Sequence, residues 1–380
     1  MRDKENIVAF IDWYRPAFKA GGPIKSLENM VESLEDNFHF HIVTSCYDVD
    51  NIALEVEANI WIKKEKYSII YLDKAHQKRD FVLQSLEGVS FETIYFNSMF
   101  SSAFSVKPIS YLSSLNKRMV LAPRGMLGKG ALRLKRFKKM VFLTIARMKG
   151  RYKNLTWHAS SLQEEIEIKN QFGPKANVQV ALNIFNIPEQ KPVIIEKKPN
   201  ELNLFFFSRI AKKKNLHFAL LCLKELDHLE HISLKIIGPI EELNYWETCK
   251  GLIDNFKNIK VEQCEISSSS ELPEVVAHTH FFFFPTLHEN FGHVIAESLA
   301  LAKPIIISDH TPWNNLETNN VGFTIGLSQK ERYVEILKKC YKMDRMEYAA
   351  MQEKCLPYLK EFKEKYSSKE MYYNLLNNEK

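Results

Sequence analysis

Short apolar runs of strand length alternate along this chain with stretches whose apolar positions recur every three or four residues. Asn6–Asp12 (NIVAFID) reads as a buried strand. Gly21, Gly22 and Pro23 punctuate the pattern, and Ile24–Leu34 then has helical spacing. Phe38–Ser45, Phe91–Asn97, Met119–Ala122 and Leu155–Ser160 read as further strands. Ser161–Phe172 reads as a helix closed by Gly173–Pro174, and Asn177–Ala181 as a short strand. Strand and helix signals in alternation predict βαβ units and a mostly parallel sheet.

The pattern breaks at Ile187–Asn200 (IPEQKPVIIEKKPN), whose three prolines and several charges are linker chemistry. It then restarts. Leu202–Phe207, Leu234–Ile237 and Ile259–Gln263 read as strands. Leu216–Leu226, Asn244–Phe256 and Glu271–His278 read as helices. Phe281–Pro285 and Pro304–Ser308 are apolar strands flanking a helix that opens near Phe291–Gly292. Lys330–Asn377 is helical in pattern. A chain of 380 residues exceeds one ordinary core. The expected organisation is a first α/β domain over 1–186, a linker over 187–200 and a second domain over 201–356. A terminal helix over 357–380 is expected to cross back to the first domain. Two doubly wound domains facing a central cleft put ligands at that cleft.

Composition narrows this little. The 45% apolar and 26% charged content is globular, and a net charge of +6 suits an anionic partner without choosing one. No apolar run approaches a membrane span, and MRDKENIVAFID has no leader-like hydrophobic region. The six cysteines are scattered with no CxxC pair, which points to reduced thiols and a cytoplasmic protein.

Candidate chemistry concentrates in three places. In Phe281–Asp309 a loop carries Glu289, and Glu297 follows eight positions later inside the helix. The amides of Asn290, Phe291 and Gly292 then lie at a helix N-terminus, where an anion is favoured. Carboxylates flanking such amides suit a ligand that combines phosphates with many hydroxyls; an ordinary helix start is the alternative. The turn Ser208–Asn215 follows a strand, and its Arg209 and Lys214 can converge on a diphosphate, or form a solvated basic turn. Tyr14–Ser26 contains Gly21–Gly22, which admits a ligand close to the backbone. It has neither the GxGxxG spacing nor a P-loop ending.

Together these segments resemble the retaining glycosyltransferases of family 4, with their GT-B architecture of two Rossmann-like domains. The family's Glu-x7-Glu motif is matched by Glu289 and Glu297 in ENFGHVIAE. Its Arg–Lys pair is matched by Arg209 and Lys214, its glycine-rich loop by Gly21 and Gly22, and its later strand-end segment by SDHTPWNNL (Ser308–Leu316). The likeness spans nearly the whole chain and is strongest from Ser208 to Thr324. It implies catalytic roles for Glu289, Arg209 and Lys214, the two cations neutralising the departing diphosphate and Glu289 holding donor-sugar hydroxyls. It implies donor binding by Gly21, Gly22, Asn290, Phe291, Gly292 and Glu297, the last on the ribose. A UDP- or GDP-sugar would be the co-substrate, with no further cofactor and no metal. The implied reaction moves the sugar to a hydroxyl acceptor, a glycan or lipid-linked glycan of bacterial surface polysaccharide such as O-antigen, capsule or exopolysaccharide. A GT-B nucleotide-sugar 2-epimerase and a non-catalytic glycan- or nucleotide-binding protein are the alternatives.

The chain departs from the family pattern at Ser208 and Asn215, where glycines are usual, and at Asn97-Ser98, where many members carry a histidine. Acceptor-side candidates are therefore Asn97, Arg124 of Pro123-Arg124-Gly125, and His158. His293 either touches the donor or caps its helix. Asp48-Val49-Asp50 matches a metal-binding Asp-x-Asp but reads as a loop, and His278 and His280 read as strand neighbours on one face without a metal cluster. Residues 133–153 carry nine Lys or Arg and no acid, interleaved with apolar positions at roughly helical spacing. Two readings stand: a basic amphipathic helix on the anionic inner face of the cytoplasmic membrane, or a solvated helix packed on its own domain. No module supports nucleic-acid binding.

Overall fold

In the computed structural model the described residues are 4–377 apart from 20, 129–130, 133–135, 188–191, 193, 267–270 and 367–368. Parts of the expected linker and of the basic segment (133–135) thus lie outside the described residues. The chain divides into two compact units: Met1–Asn186 with Lys363–Lys380, and Ile187–Phe362.

In chain order the first unit contains β1 Glu5–Phe10, α1 Gly22–Leu34, β2 Phe38–Ser45, β3 Trp61–Lys63, β4 Tyr67–Leu72, α2 Arg79–Leu86, β5 Thr93–Phe96, α3 Lys107–Leu112, β6 Arg118–Leu121, α4 Arg136–Met148, β7 Thr156–Ala159, α5 Leu162–Phe172 and β8 Val178–Val180. They form an eight-stranded sheet in the order β3-β4-β2-β1-β5-β6-β7-β8. Its pairings are parallel except for β3 against β4. The strands are apolar on both faces because helices cover both. One core contains Ile24, Leu27 and Met30 of α1; the other contains Val82 of α2, Ile109 of α3 and Leu143 of α4.

The second unit contains β9 Leu202–Phe207, α6 Leu216–Lys224, β10 Ile232–Ile237, α7 Leu243–Ile253, β11 Lys260–Cys264, α8 Leu272–Val275, β12 Phe281–Phe284, α9 His293–Ala300, β13 Ile305–Ser308, β14 Gly322–Ile325, α10 Lys330–Lys342 and most of α11 Arg345–Tyr366. Its six strands are all parallel, in the order β11-β10-β9-β12-β13-β14. The four phenylalanines of β12 are fully buried, and Phe205 of β9 lies 5.1 Å from Phe282, ring centre to ring centre. The last helix, α12 Lys369–Leu376, belongs to the first unit, where Tyr372, Leu375 and Leu376 join the core beside α1.

In both sheets the strand order reverses at one place, between β1 and β5 and between β9 and β12. The loops leaving the carboxyl ends of two such strands diverge to opposite faces of the sheet and leave a crevice where α/β proteins bind ligands. The fold therefore singles out the segments after β1 and β5, and after β9 and β12.

Candidate active site

In the second unit the turn after β9 is a 3-10 turn, Lys212–Lys214, closed by Asn215 in the left-handed conformation. Three hydrogen bonds tie it to the loop after β12. Leu287 donates its amide to the Lys213 carbonyl (3.0 Å), Thr286 Oγ1 donates to the same carbonyl (3.1 Å), and Asn215 Nδ2 donates to the Pro285 carbonyl (2.9 Å). Asn215, standing where a glycine is usual, thus uses its side chain to join the two loops. The loop is also held from β13: Ser308 Oγ donates to the Thr286 carbonyl (2.6 Å), and the Glu289 amide donates to the His310 carbonyl (2.9 Å).

On this frame Lys214 Nζ and Glu289 Oε1 form an ion pair, their side chains only 15% and 12% exposed. The Lys214 ammonium also lies 5.6 Å from the centre of the Phe284 ring. Burial works to raise the Glu289 carboxyl, but Lys214, with Lys213 and His288, overrides it and holds the group below the usual carboxylate range. The result is an ionised carboxylate and an ammonium at the β9/β12 switch point. Arg209, at the end of β9, is half-exposed and pairs with Glu241 of the β10–α7 loop at 2.6 Å.

Gly292 ends the loop at φ 81° and is the N-cap of α9, so the helix begins at His293. A Cβ at Gly292 would stand 2.8 Å from Ile295 Cδ1, the movable end of a side chain, so it is the left-handed backbone that favours glycine here. Phe291 is buried; its carbonyl accepts from Trp313 Nε1 at 2.6 Å, and its ring is 4.8 Å from that of His293. Trp313, in the SDHTPWNNL segment, is itself clamped by Phe362 at 4.0 Å. Asn290 and Glu297 are half-buried, Glu297 in the second turn of α9.

The first unit gathers its candidates at the β1/β5 switch point. Gly21 has φ 66° and caps α1, which opens Gly22-Pro23; a Cβ on either glycine would meet nothing within 4 Å. Asn97, just past β5, donates Nδ2 to the Pro23 carbonyl (3.0 Å) and accepts from Arg124 Nε at 2.6 Å. Arg124 has φ 56° in a turn with Gly125 at φ 73°. It also donates to Asn183 Oδ1 and, at 2.8 Å, to Tyr95 OH. His158 lies in β7, fully buried. Its Nε2 donates to the Ala181 carbonyl (2.8 Å), so Nδ1 accepts from Tyr95 OH (2.7 Å). Burial, with Arg124 nearby, pushes the imidazole down to about 3. Neutral His158 fixes Tyr95, and Tyr95 fixes Arg124.

Several neighbours of these residues belong to none of the motifs above. Asp12 follows β1 and accepts from Ser101 Oγ at 2.5 Å; its burial outweighs the hydrogen bonds and raises the carboxyl. An acid closing the NIVAFID run was the available signal. Glu164, buried at the start of α5, accepts from the amides of Gly125 (2.5 Å) and Ser160 (2.7 Å). It thereby holds the Arg124 turn, and the Ser161-x-x-Glu164 spacing of a capping box was its signal. Glu241 and Asn183 sit in loops with no motif.

One reading changes and one stands. His278 and His280 do not share a strand face: His278 is exposed after the short helix α8, and buried His280 accepts from the Asn203 amide at 3.0 Å through Nδ1. Asp48 and Asp50 do form a loop, in which the Ile52 amide closes onto the Asp50 carboxylate at 3.3 Å and Asp50 pairs with Lys19.

Comparison with known proteins agrees with this geometry. Residues 188–355 match the family model of glycosyl transferases group 1, nearly the whole second unit. Over 98% of its length the chain superposes on 98% of HepE from Anabaena, solved with UDP and glucose (TM-score 0.68, 14% identity). It superposes over 98% of its length on all of WaaG, a glycosyltransferase involved in lipopolysaccharide biosynthesis (TM-score 0.67, 12% identity). Sucrose-phosphate synthase from Thermosynechococcus elongatus matches over 98% of this chain and 97% of its own (TM-score 0.72, 12% identity). No curated protein sequence matches the chain closely enough to count as a relative. The fold is GT-B. Over residues 188–355 the chain is similar to the glycosyl transferases group 1, and over nearly its whole length it shares the fold of solved glycosyltransferases.

Proposed function

We propose that this enzyme transfers a sugar from a UDP- or GDP-sugar to a hydroxyl of a lipid-linked glycan, in the synthesis of a bacterial surface polysaccharide such as O-antigen, capsule or exopolysaccharide. The observation that carries the donor part is the Lys214–Glu289 pair at the β9/β12 switch point, beside the N-terminus of α9. The donor diphosphate takes Lys214 and Arg209 from their present carboxylates, and the freed Glu289 accepts hydroxyls of the sugar. Asn290, Phe291 and Gly292 offer backbone amides, and Glu297 holds the ribose. Gly21 and Gly22 of the first unit, with open space where a Cβ would be, leave room for a ligand group close to the backbone.

The bond from the anomeric carbon to the diphosphate oxygen breaks, and the bond to the acceptor oxygen forms on the same face. The acceptor's proton leaves with the diphosphate. Two cations and a helix N-terminus supply the positive field for the departing anion, so the reaction runs without a metal. Arg124, locked by Asn97, Asn183 and Tyr95, faces the acceptor side, with Asn97 and His158 acting through it. UDP is favoured as donor nucleotide because HepE, of the same fold, was solved with UDP. WaaG's part in lipopolysaccharide biosynthesis favours a surface glycan as the product. The place of work is the cytoplasmic side of the membrane, with the protein peripheral to it.

Transfer of radiolabelled sugar to a membrane-extract acceptor tests the reading. Arg209→Ala and Lys214→Ala should each lower the rate about a hundredfold, the scale of losing one stabiliser of a leaving anion, and Glu289→Ala should do likewise. Unchanged transfer in all three would remove the proposed donor site.

A further inference from the structure

Outside the site described above, the first unit has a surface recess of about 390 Å³ between the head of α2, α3 and the turn after α4. Its volume is in the range that takes a small-molecule ligand. None of the residues placed at the two switch points lines it. Its walls carry four cations: Lys78 and Arg79 at the head of α2, Lys107 at the head of α3, and Arg151 after α4. Among the described residues no acid lines the recess, and none of the four cations forms an ion pair. Asp73, in the loop that leads to Lys78, is already occupied. It accepts from the His76 amide (2.9 Å), from His76 Nδ1 (2.8 Å) and from Asn59 Nδ2 (2.9 Å). Gathered like charges repel one another, so four unneutralised cations around one hollow favour an anion within it.

The helix end adds to this field. Lys78 is the N-cap of α2 and makes no side-chain cap bond. The first amides of the helix are therefore left to solvent or to a ligand, at the end that favours negative charge.

The other polar walls are of mixed kind. The Tyr111 hydroxyl has no hydrogen-bond partner among the described residues, and burial pushes the phenol up, so it stays a donor. Gln77 donates Nε2 to the Leu72 carbonyl (3.2 Å), which leaves its Oε1 to accept. Ser110 Oγ donates to the Val106 carbonyl (3.0 Å) and keeps its lone pairs. Inorganic phosphate is almost wholly an acceptor and offers these two oxygens little. Sugar hydroxyls can donate to both, and the apolar Ala103 and Val106 can meet the C–H face of a ring.

We propose that this recess binds a soluble sugar phosphate, at a site separate from the nucleotide site. The phosphate lies among Lys78, Arg79, Lys107 and Arg151, where the arginines offer planar forks and the lysines point charges. The hydroxyls meet Gln77, Ser110 and Tyr111. The proposal does not rest on the donor reading, because every wall belongs to the first unit and none to the Lys214–Glu289 frame.

Calorimetric titration of the full chain with glucose 1-phosphate, glucose 6-phosphate and fructose 6-phosphate tests it, with glucose and inorganic phosphate as controls. At least one of the three esters should bind saturably at one equivalent, about tenfold or more tighter than inorganic phosphate, and glucose should give no binding. The binding should weaken with added salt. Arg79→Ala/Lys107→Ala removes two exposed side chains and should weaken it about tenfold or more, because charge-assisted bonds are lost. Tyr111→Phe keeps the ring and should weaken it about threefold through the hydroxyl alone. Neither variant should move the melting temperature or the stabilisation by UDP, and Arg209→Ala should leave ester binding in place. Failure of the nucleotide site thus shows as a missing UDP effect with ester binding intact. No binding by any ester, or binding unchanged in Arg79→Ala/Lys107→Ala, would overturn the proposal. Loss of binding in Arg209→Ala would put the ester in the nucleotide site and overturn it too. Inorganic phosphate binding as tightly as the esters would reduce the recess to a bare anion site and sink the sugar assignment.

Discussion

His158 and His280 are held neutral deep in the two units, His158 on Tyr95 and Ala181, His280 on the Asn203 amide. Burial, helped by nearby cations, pushes both imidazoles down to about 3. In the unfolded chain they titrate near 6.5. The unfolded state therefore takes up protons first as pH falls, and the stability these groups contribute is complete above 6.5 and lost progressively toward 3. Melting temperatures recorded from pH 7.5 to 4.5 should drop through that window, ahead of the carboxylates. A level profile would contradict neutral burial. At this scale the sequence was legible where a motif carries spacing, as with Lys214 and Glu289, which the fold brings into contact across 75 residues. It was not legible for Arg209's partner Glu241 or for Asn183, because a loop side chain's contact depends on how strands order in space. His158 could be placed on a strand, but only the tertiary structure shows both ring nitrogens occupied.

Sequence and structure agree closely where apolar residues dominate a run: Phe38–Ser45 and Leu202–Phe207 are strands to the residue. The region 61–86 yielded no assignment from sequence, though it supplies β3, β4 and α2. β3 is only three residues and gains its structure by antiparallel pairing with β4, from which the charged residues 64–66 separate it. Gly322–Ile325 is likewise only four residues and becomes strand β14 through its pairing with β13. Both helix caps, Gly21 and Gly292, have positive φ, whereas Gly22, the first residue of α1, does not. Gly292→Ala puts a side chain on a left-handed backbone, and should cost about 1–3 kcal/mol in urea unfolding while weakening donor binding. Gly22→Ala, with no steric neighbour and no positive φ, should change stability by less than about 1 kcal/mol. Equal effects at the two positions would show that the α9 cap is not under the constraint described.

Over the whole molecule, the chain returns to its beginning. Residues 363–380 complete the first unit, with Thr93 Oγ1 donating to the Leu376 carbonyl (2.8 Å) and Arg118 Nη2 to the Leu375 carbonyl (3.0 Å). Leu375→Ala removes a fully buried side chain from the core beside α1 and should destabilise by about 2–5 kcal/mol. Calorimetry should place that loss in the transition of the first unit, leaving nucleotide-dependent stabilisation of the second intact. Loss of the nucleotide effect would argue against two separately stable units.

The central claim is that the turn after β9 and the loop after β12 together hold a nucleoside diphosphate. The most direct measurement is the melting temperature of the full chain with UDP, GDP or ADP, and with their sugars, for wild type and Arg209→Ala. At a hundred times the dissociation constant a ligand adds about 2.7 kcal/mol, a rise of roughly 5–10 °C for a unit of this size. The expected result is such a rise for one of UDP or GDP in the wild type, and its loss in Arg209→Ala, whose exposed side chain contributes little to folding. No rise with any nucleotide, or an equal rise in the variant, would contradict the account.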